Sequence, residues 1–324
     1  MNIYHSLADA SAALGPRGVV ATIGNFDGVH RGHQFMFATL VARARALGVP
    51  AVAITFDPHS QRILRPHAGF RLLTPLPQRL ELLAAAGIDA AIVLPFSAEL
   101  AQVSARDFAT RTLAESLHAR EVIEGANFRF GHHAELGVDG LAALGSELGF
   151  AVHVCPQFQL RGDSISSSRI RHLISHGQVN RARALLGRPF AVASTPASGR
   201  GYGTRYTVPT INLAPYAELL PANGVYVTCL TIGTGADAHT FDAVTNIGNR
   251  PTFGPDSFSV ETHILRFTPL ALDENTPLRL AFLHRLRDEK TWPTAGALKA
   301  QIALDVQQAQ RYLRLLHRLA SPQT

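Results

Sequence analysis

Two histidines and a run of glycines supply the first candidate chemistry. The stretch Thr22–His33 reads TIGNFDGVHRGH. A short apolar strand (Val19, Val20, Ala21, Ile23) breaks at Gly24-Asn25, turns through Asp27-Gly28 and delivers His30, Gly32 and His33. Phe35, Met36, Leu40, Val41, Ala44 and Leu47 then recur at helical spacing. Strand, glycine turn and helix start together suit a phosphate, because the first-turn N–H groups are unpaired and the dipole end is positive. Gly24, Gly28 and Gly32 let a large anion approach the backbone closely. His30 and His33 fall on one helix face and can stabilise charge that develops on a phosphate during transfer. The plainer reading of such a pair is a solvated helix start, and Asp-Gly alone marks only a turn.

The elements that would position these residues follow from periodicity. After the first strand and helix comes the apolar strand Ala51–Phe56, ending in Asp57-Pro58-His59. A helix at Gln78–Ala86, a strand at Ala90–Leu94, a helix at Ala105–His118, a strand at Glu121–Ile123, a helix at Gly140–Leu148 and a strand at Ala151–Val154 complete the series. Alternation of this kind predicts a parallel sheet covered on both faces. Ligands in such sheets sit beyond the carboxyl ends of the strands. Asn25, Asp27, Phe56, Asp57, His59, Asn127, Arg129 and Ser166–Arg171 all fall there. The character changes near Gly187-Arg188-Pro189. Short strands are then separated by turn clusters at Thr195–Gly203, Pro215–Gly224, Gly233–Asp237 and Asn246–Asp256, as in an antiparallel barrel. Thr294 can cap a last helix with Leu298, Ile302, Val306, Ala309 and Leu313 on one face, expected to pack on the barrel.

A chain of 324 residues has room for two cores. At 46% hydrophobic it is expected to be globular rather than disordered. The net charge of +6 is dispersed, which suits anionic small molecules at least as well as nucleic acid. Cys155 and Cys229 are isolated in apolar segments, without zinc spacing, as expected of buried thiols in a reducing compartment. No leader-like N-terminus and no long apolar run appear, so a cytoplasmic protein with no membrane contact is expected.

GNFDGVHRGH resembles the signature of the H-x-G-H nucleotidyltransferases, and in particular that of the bacterial bifunctional riboflavin kinase/FMN adenylyltransferases. Three further segments resemble that family: TFDPH at Thr55–His59, EGANFRFG at Glu124–Gly131, and ISSSRIR at Ile165–Arg171, with Ser168 where threonine is usual. The resemblance implies a Rossmann-like α/β nucleotidyltransferase domain over residues 1–187. It also implies ATP contacts from Gly24, Asn25, Phe26, Asp27, Gly28, Gly32, Ser167 and Ser168, and catalytic roles for His30, His33 and Arg171. Flavin contacts would come from Phe56, Asp57, His59, Asn127 and Phe128. Serine hydroxyls and helix-start N–H groups can hold phosphates, and Arg171 can neutralise a triphosphate bidentately. The family's basic loop after Phe130-Gly131 is replaced here by His132-His133-Ala134-Glu135.

Over residues 188–324 the resemblance implies a riboflavin kinase domain, a small antiparallel β-barrel with a C-terminal helix. GRGYGTRYTVPTINL (Gly199–Leu213) is similar to the kinase segment, with Thr207 and Val208 where Gly and Phe are usual. Gly201 and Gly203 would cover ATP phosphates. Thr210 and Asn212, two apart on a strand, would hold Mg²⁺ through hard oxygen atoms. VETHIL (Val260–Leu265) places Glu261 where the family has its catalytic carboxylate, and LRDEKTW (Leu286–Trp292) brings Arg287 to the flavin, with Thr291 where lysine is common. The activity implied is phosphorylation of riboflavin by ATP to FMN, then adenylylation of FMN by a second ATP to FAD. The alternatives are an adenylyltransferase whose barrel is an inactive kinase, a flavin-binding regulator without turnover, and a nucleic-acid-binding protein. Retention of His30, His33, Ser167 and Arg171 weighs against the regulator, and the dispersed charge against nucleic acid. Glu261 could instead only pair with Arg250 or Arg287. Oligomeric state is not legible.

Overall fold

The structure is a computed structural model that describes residues 1–160, 162–197, 210–249, 258–266 and 272–320. The chain divides into two compact units, Met1–Ser167 and Ser168–Thr324. The expected domain boundary at residue 187 lies two helices further on.

The first unit is built on strands β1 (Asn2–Tyr4), β2 (Val19–Ile23), β3 (Ala51–Phe56), β4 (Ala90–Leu94) and β5 (Ala119–Gly125). A short antiparallel ribbon, β6 (Arg129–Phe130) and β7 (Leu136–Gly137), precedes β8 (Ala151–Cys155). A second ribbon, β9 (Gln159–Leu160) and β10 (Asp163–Ser164), ends the unit. Its helices are α1 (Leu7–Leu14), α2 (Arg31–Leu47), α3 (Ser60–Leu64), α4 (Leu76–Ala85), α5 (Ala98–Ala101), α6 (Ala105–Phe108) and α7 (Val138–Leu148). The main sheet is parallel, in the order β1-β4-β3-β2-β5-β8. From β2 the chain steps outward through β3 and β4, then returns to lay β5 on the other side. The order therefore reverses between β2 and β5, the position at which open α/β sheets form a ligand crevice.

Alternate side chains feed two cores. Val19, Ala21 and Ile23 of β2 join Ala10 of α1, Leu113 and Leu141 on one face. Val20 joins Met36, Phe37 and Leu40 of α2 and Leu83 of α4 on the other. This confirms a parallel sheet with helices on both faces. Three local expectations need correction. Asn2–Tyr4 and α1, where no element was expected, supply an edge strand and a helix; Ser6 caps that helix by accepting from Asp9 N at 3.0 Å. The helix expected over Ala105–His118 makes one α turn and then widens into a π-helix, Ala109–Ser116, whose last bond runs from Leu117 N back to Thr112 O. The sheet's fifth strand begins at Ala119, earlier than the Glu121 expected.

The second unit opens with α8 (Ser167–Ser175, whose first residue closes unit one) and α9 (Val179–Leu186). Strands β11 (Phe190–Ser194), β12 (Thr210–Asn212), β13 (Gly224–Ile232), β14 (His239–Asn249), β15 (Phe258–Ile264) and β16 (Leu278–Arg287) follow, then α10 (Ala295–Ala320). They form one antiparallel sheet in the order β11-β16-β13-β14-β15-β12. Pro196 bridges to Leu213, with Ala197 N donating to Asn212 O at 2.8 Å, which draws the two edge strands together as a half-barrel. β14 runs through Asn249, four residues into the expected turn cluster at Asn246–Asp256. Thr294 does cap α10, accepting from Ala297 N at 3.1 Å. Ala309 and Leu313 bury against Val225, Val227 and Leu283, but Leu298 and Ile302 of the expected stripe stay exposed.

Inside the sheet, Thr228, Thr245 and Thr262 form a ladder of hydroxyls across β13, β14 and β15, at 2.8 and 3.0 Å, all fully buried. Thr245→Val keeps the shape but strips both neighbours of their shared partner. It is expected to cost about 1–3 kcal/mol, the usual penalty for buried unsatisfied polar groups, read as a lowered urea midpoint.

Candidate active sites

The turn after β2 is contorted. Phe26 has φ 46° and Val29 φ 37°, the left-handed region, which a β-branched residue rarely occupies. His30 is the N-cap of α2 rather than a residue of its first turn, and its Nδ1 accepts from His33 N at 3.3 Å. The two rings stack with centroids 3.7 Å apart and planes within 13°. The edge of Phe26 abuts the His33 ring at 5.5 Å. Two of the glycines are explained by these rings. A Cβ on Gly24 would lie 2.8 Å from the Phe26 ring, and one on Gly32 would lie 3.2 Å from the His30 ring. Gly28, at φ 85°, takes the left-handed turn itself.

The stretch between β3 and α4 holds this turn in place. Asp27 is buried, and its carboxylate accepts from Leu73 N at 3.0 Å and Thr74 N at 2.9 Å. Gly28 N donates to the Thr74 hydroxyl at 2.8 Å. Asn25 donates to Ser60 Oγ at 2.8 Å and accepts from Ser60 N at 3.2 Å. Arg79, 1% exposed, donates to Asn25 O at 2.7 Å and to Phe56 O at 2.9 Å. Burial pushes its guanidinium pKa down, and the charges of Asp27 and Asp57 push it back up. His59 caps α3 by accepting from Gln61 N, and its ring lies tilted against that of Phe70, centroids 4.4 Å apart. Ser167 donates to Asp27 O at 2.7 Å.

A cavity of about 750 Å³ opens at the carboxyl end of the sheet. Gly24, Asn25, Phe56, Asn127 and Phe128 line it, so the structure brings the turn and both expected flavin segments to one space. Phe96, Phe108 and Phe130 add flat apolar wall, and Gln61, Arg65 and His132-His133 add polar lining. Asp57 and His59 do not line it. The His132-His133 loop is set by Gly131 at φ 80°, where a Cβ would meet Ala105 N at 2.6 Å, and by a bond between His132 Nδ1 and Ala101 O at 3.0 Å.

In the second unit, Asn212 lies directly across from Glu261, and Thr210 from His263, in the β12–β15 register. Thr210, Asn212 and Glu261 therefore share one edge of the sheet. Burial lowers the His263 pKa while Glu261 raises it. Arg287 is committed elsewhere. Its guanidinium meets Asp305 of α10 at 2.8 Å and lies over the Trp292 ring at 5.6 Å. Asp305 also accepts from Gln301 at 2.8 Å. Arg287 thus pairs with Asp305, not with Glu261. Gly201, Gly203, Thr207, Val208 and Arg250 lie outside the described residues. Ser168 and Arg171 sit in the first turns of α8.

Residues 14–169 match the FAD synthetase family and residues 186–313 match the riboflavin kinase family. A bifunctional riboflavin kinase/FMN adenylyltransferase of Pseudomonas fluorescens is 34% identical over 291 residues, covering 90% of this chain and 91% of that protein. One of Escherichia coli K12 is 30% identical, covering 96% of each. The chain belongs to the bifunctional riboflavin kinase/FMN adenylyltransferases. A Streptococcus pneumoniae structure described as a macrolide-efflux protein superposes with a TM-score of 0.82 at 24% identity over 96% of this chain and 99% of that one, a likeness of fold. No helix among the described residues is long and apolar enough to cross a membrane.

Motif reading missed the family member's support residues: Thr74, Arg79, Ser60 and Glu124. Thr74, Arg79 and Ser60 belong to no short motif, Glu124 opens EGANFRFG without a role of its own there, and an arginine in an amphipathic helix reads as a solvated face. Only its position on the apolar side of α4, beside Leu83, could have flagged it. Arg79→Ala is expected to lower stability by about 2–3 kcal/mol, since two carbonyls lose charged donors. It should also depress FAD formation while FMN formation from riboflavin persists. Urea unfolding and separation of the two flavin products check both.

Proposed function

We propose that both halves of this enzyme are active and act in sequence on the flavin. Residues 188–324 form the kinase domain, which transfers the γ-phosphoryl group of ATP to the 5′-hydroxyl of riboflavin. Residues 1–187 form the adenylyltransferase domain. There an FMN phosphate oxygen attacks the α-phosphorus of a second ATP, FAD forms, and pyrophosphate leaves. The observation that carries the second step is the single cavity shared by Gly24, Asn25, Phe56, Asn127 and Phe128. Its phenylalanine walls suit a flat tricyclic ring, and its glycine end abuts the strand-to-helix turn where phosphates bind.

In the adenylyltransferase, His30 and His33 contact the ATP phosphates and stabilise the charge that develops on them. Gly24, Asn25, Phe26, Asp27, Gly28 and Gly32 shape that end of the site, Asp27 by anchoring the turn. Ser167, Ser168 and Arg171 serve the triphosphate. Phe56, Asn127 and Phe128 receive the flavin, with Asp57 and His59 setting the loop beside them. In the kinase, Glu261 takes the proton from the riboflavin hydroxyl. Thr210 and Asn212 offer a hydroxyl and an amide oxygen beside that carboxylate, a hard donor set that fits Mg²⁺. Among the described residues no group of three or more His, Cys, Asp or Glu could hold a metal alone. The ion would thus be held jointly with substrate phosphates, drawing negative charge from them. The two free cysteines fit a reducing, cytoplasmic setting.

Purified protein incubated with riboflavin, ATP and Mg²⁺ should yield both FMN and FAD on chromatographic separation. FAD from supplied FMN alone would instead mark an inactive kinase. His33→Ala should cut FAD formation by about a hundredfold or more with FMN formation nearly untouched, as loss of a transition-state donor does. Glu261→Gln keeps size but cannot accept a proton, so FMN formation should vanish while FAD from supplied FMN continues. Near-wild-type phosphorylation by Glu261→Gln would place the base elsewhere.

A further inference from the structure

Glu124 is a carboxylic acid inside the core of the adenylyltransferase unit, 2% exposed. The steps above give it no part. It sits where the strand order reverses. The β2–β5 ladder ends at the pair Ala21–Val122. On either side the sheet runs further: β2–β3 continues to Ile23–Ile54 and β5–β8 to Gly125–Cys155. The two central strands thus part before their ends, and the Glu124 side chain occupies the parting. Its Oε1 accepts from Ile23 N at 2.6 Å and from the Thr22 hydroxyl at 3.3 Å. A side-chain acceptor has replaced the backbone acceptor that a neighbouring strand would otherwise supply. One residue beyond Ile23 the turn at Gly24-Asn25 begins; three beyond Glu124 stands Asn127. Both ends line the cavity.

We propose that Glu124 is a positioning residue for adenylyl transfer, holding the end of β2 at a fixed offset from β5 and so setting the gap between Asn25 and Asn127. The proposal rests on the reading of that cavity as the adenylyl-transfer site. Glu124 touches neither nucleotide nor flavin; it acts through the two strand ends. The neutral acid suffices for this, since a carbonyl-type oxygen accepts both bonds. Burial raises the Glu124 pKa well above its ordinary 4.5, and the two hydrogen bonds oppose that only in part. Cys155 on β8 has a thiol that burial pushes up, opposed in part by its hydrogen bond with Thr39. Glu121, on β5 itself, is held ionised by Arg43, with His153 beside it.

The experiment compares Glu124→Val and Glu124→Gln in the full-length enzyme. FAD from supplied FMN is measured as kcat and KM, FMN from riboflavin as a control, and melting temperature against pH. Valine fills the core but offers no acceptor. Its kcat/KM for FAD formation should fall by about tenfold with KM for FMN raised, while the kinase reaction stays within about twofold. Glutamine restores the acceptor and should return FAD formation to within about twofold of wild type. The pH series has a fixed sign. With a folded pKa raised above 4.5, the contribution of Glu124 to stability is fully present below pH 4.5 and is lost as pH rises through the folded pKa. Glutamine lacks that decline, so it should melt above wild type near neutral pH, and the difference should vanish toward pH 4.5.

Wild-type FAD kinetics in Glu124→Val would overturn the proposal, as would equal impairment of both variants. If the valine variant does not fold, glutamine decides: folded with FAD formation supports positioning, folded without it overturns it. Wild-type FAD formation in the same assay separates failure of this proposal from failure of the cavity's assignment.

Discussion

The turn after β2 cannot hold its own shape. Two non-glycine residues, Phe26 and Val29, are in left-handed conformations, which cost on the order of 1–3 kcal/mol each. Such a shape persists only when its surroundings over-determine it. Among the described residues, one stretch of chain, from Phe56 to Arg79, supplies many of the contacts that do so. That stretch gives the Leu73 and Thr74 amides to Asp27, the Thr74 hydroxyl to Gly28, Ser60 to Asn25, and Arg79 to the carbonyls of Asn25 and Phe56. The stacked histidines follow from this, because His30 can cap α2 only if the turn delivers it there. The cavity follows too, since Asn25 and Phe56 form adjoining parts of its lining and hang from the same guanidinium.

The second unit reaches a comparable end by a different route. Its oxygen donors need no strained turn, because an antiparallel register places Asn212 opposite Glu261 with no further device. The buried threonine ladder passes through Thr262, the residue next to Glu261, and ties β15 to β14 from inside. Arg287, drawn to Asp305 and Trp292, ties the last strand to α10 instead of facing the proposed base.

Much of this was legible in the sequence because the relevant signals are local. The β2 turn, its strand and α2 are contiguous, and periodicity alone sets the parallel sheet and the later change to short antiparallel strands. Asn127, Phe128 and Phe56 reach one cavity because all three follow strands of one sheet. What escaped has a common cause. Asn2–Tyr4 is too short to show alternation and is a strand only because β4 lies beside it. The π-helix at Ala109–Ser116 has an ordinary helical composition. The stripe on α10 read as one buried face, yet among the described residues its burial ends near Val306, and Leu298 and Ile302 stay exposed. Asp27 read as a ligand-facing residue, while its carboxylate is directed at two amides 46 and 47 residues away. The role of Arg79 carries no local signal, since its partners are backbone carbonyls, and Glu124 likewise spends its shortest bond on a backbone amide; backbone atoms leave no trace in residue identity.

Contacts to backbone atoms constrain how the chain can vary over time. Asp27, Thr74 and Arg79 bind main-chain groups of each other's segments. Apart from the Thr74 hydroxyl that also reaches the Asp27 carboxylate at 3.3 Å, a replacement at one is not compensated by a matching side chain at its contact, because the contact is an amide or a carbonyl that cannot be exchanged. Compensation has to come from a third position that offers the same donor or acceptor to the same main-chain atom. The loop after β3 and the turn after β2 are therefore bound to drift together, as a set, while the motif residues between them stay legible one at a time.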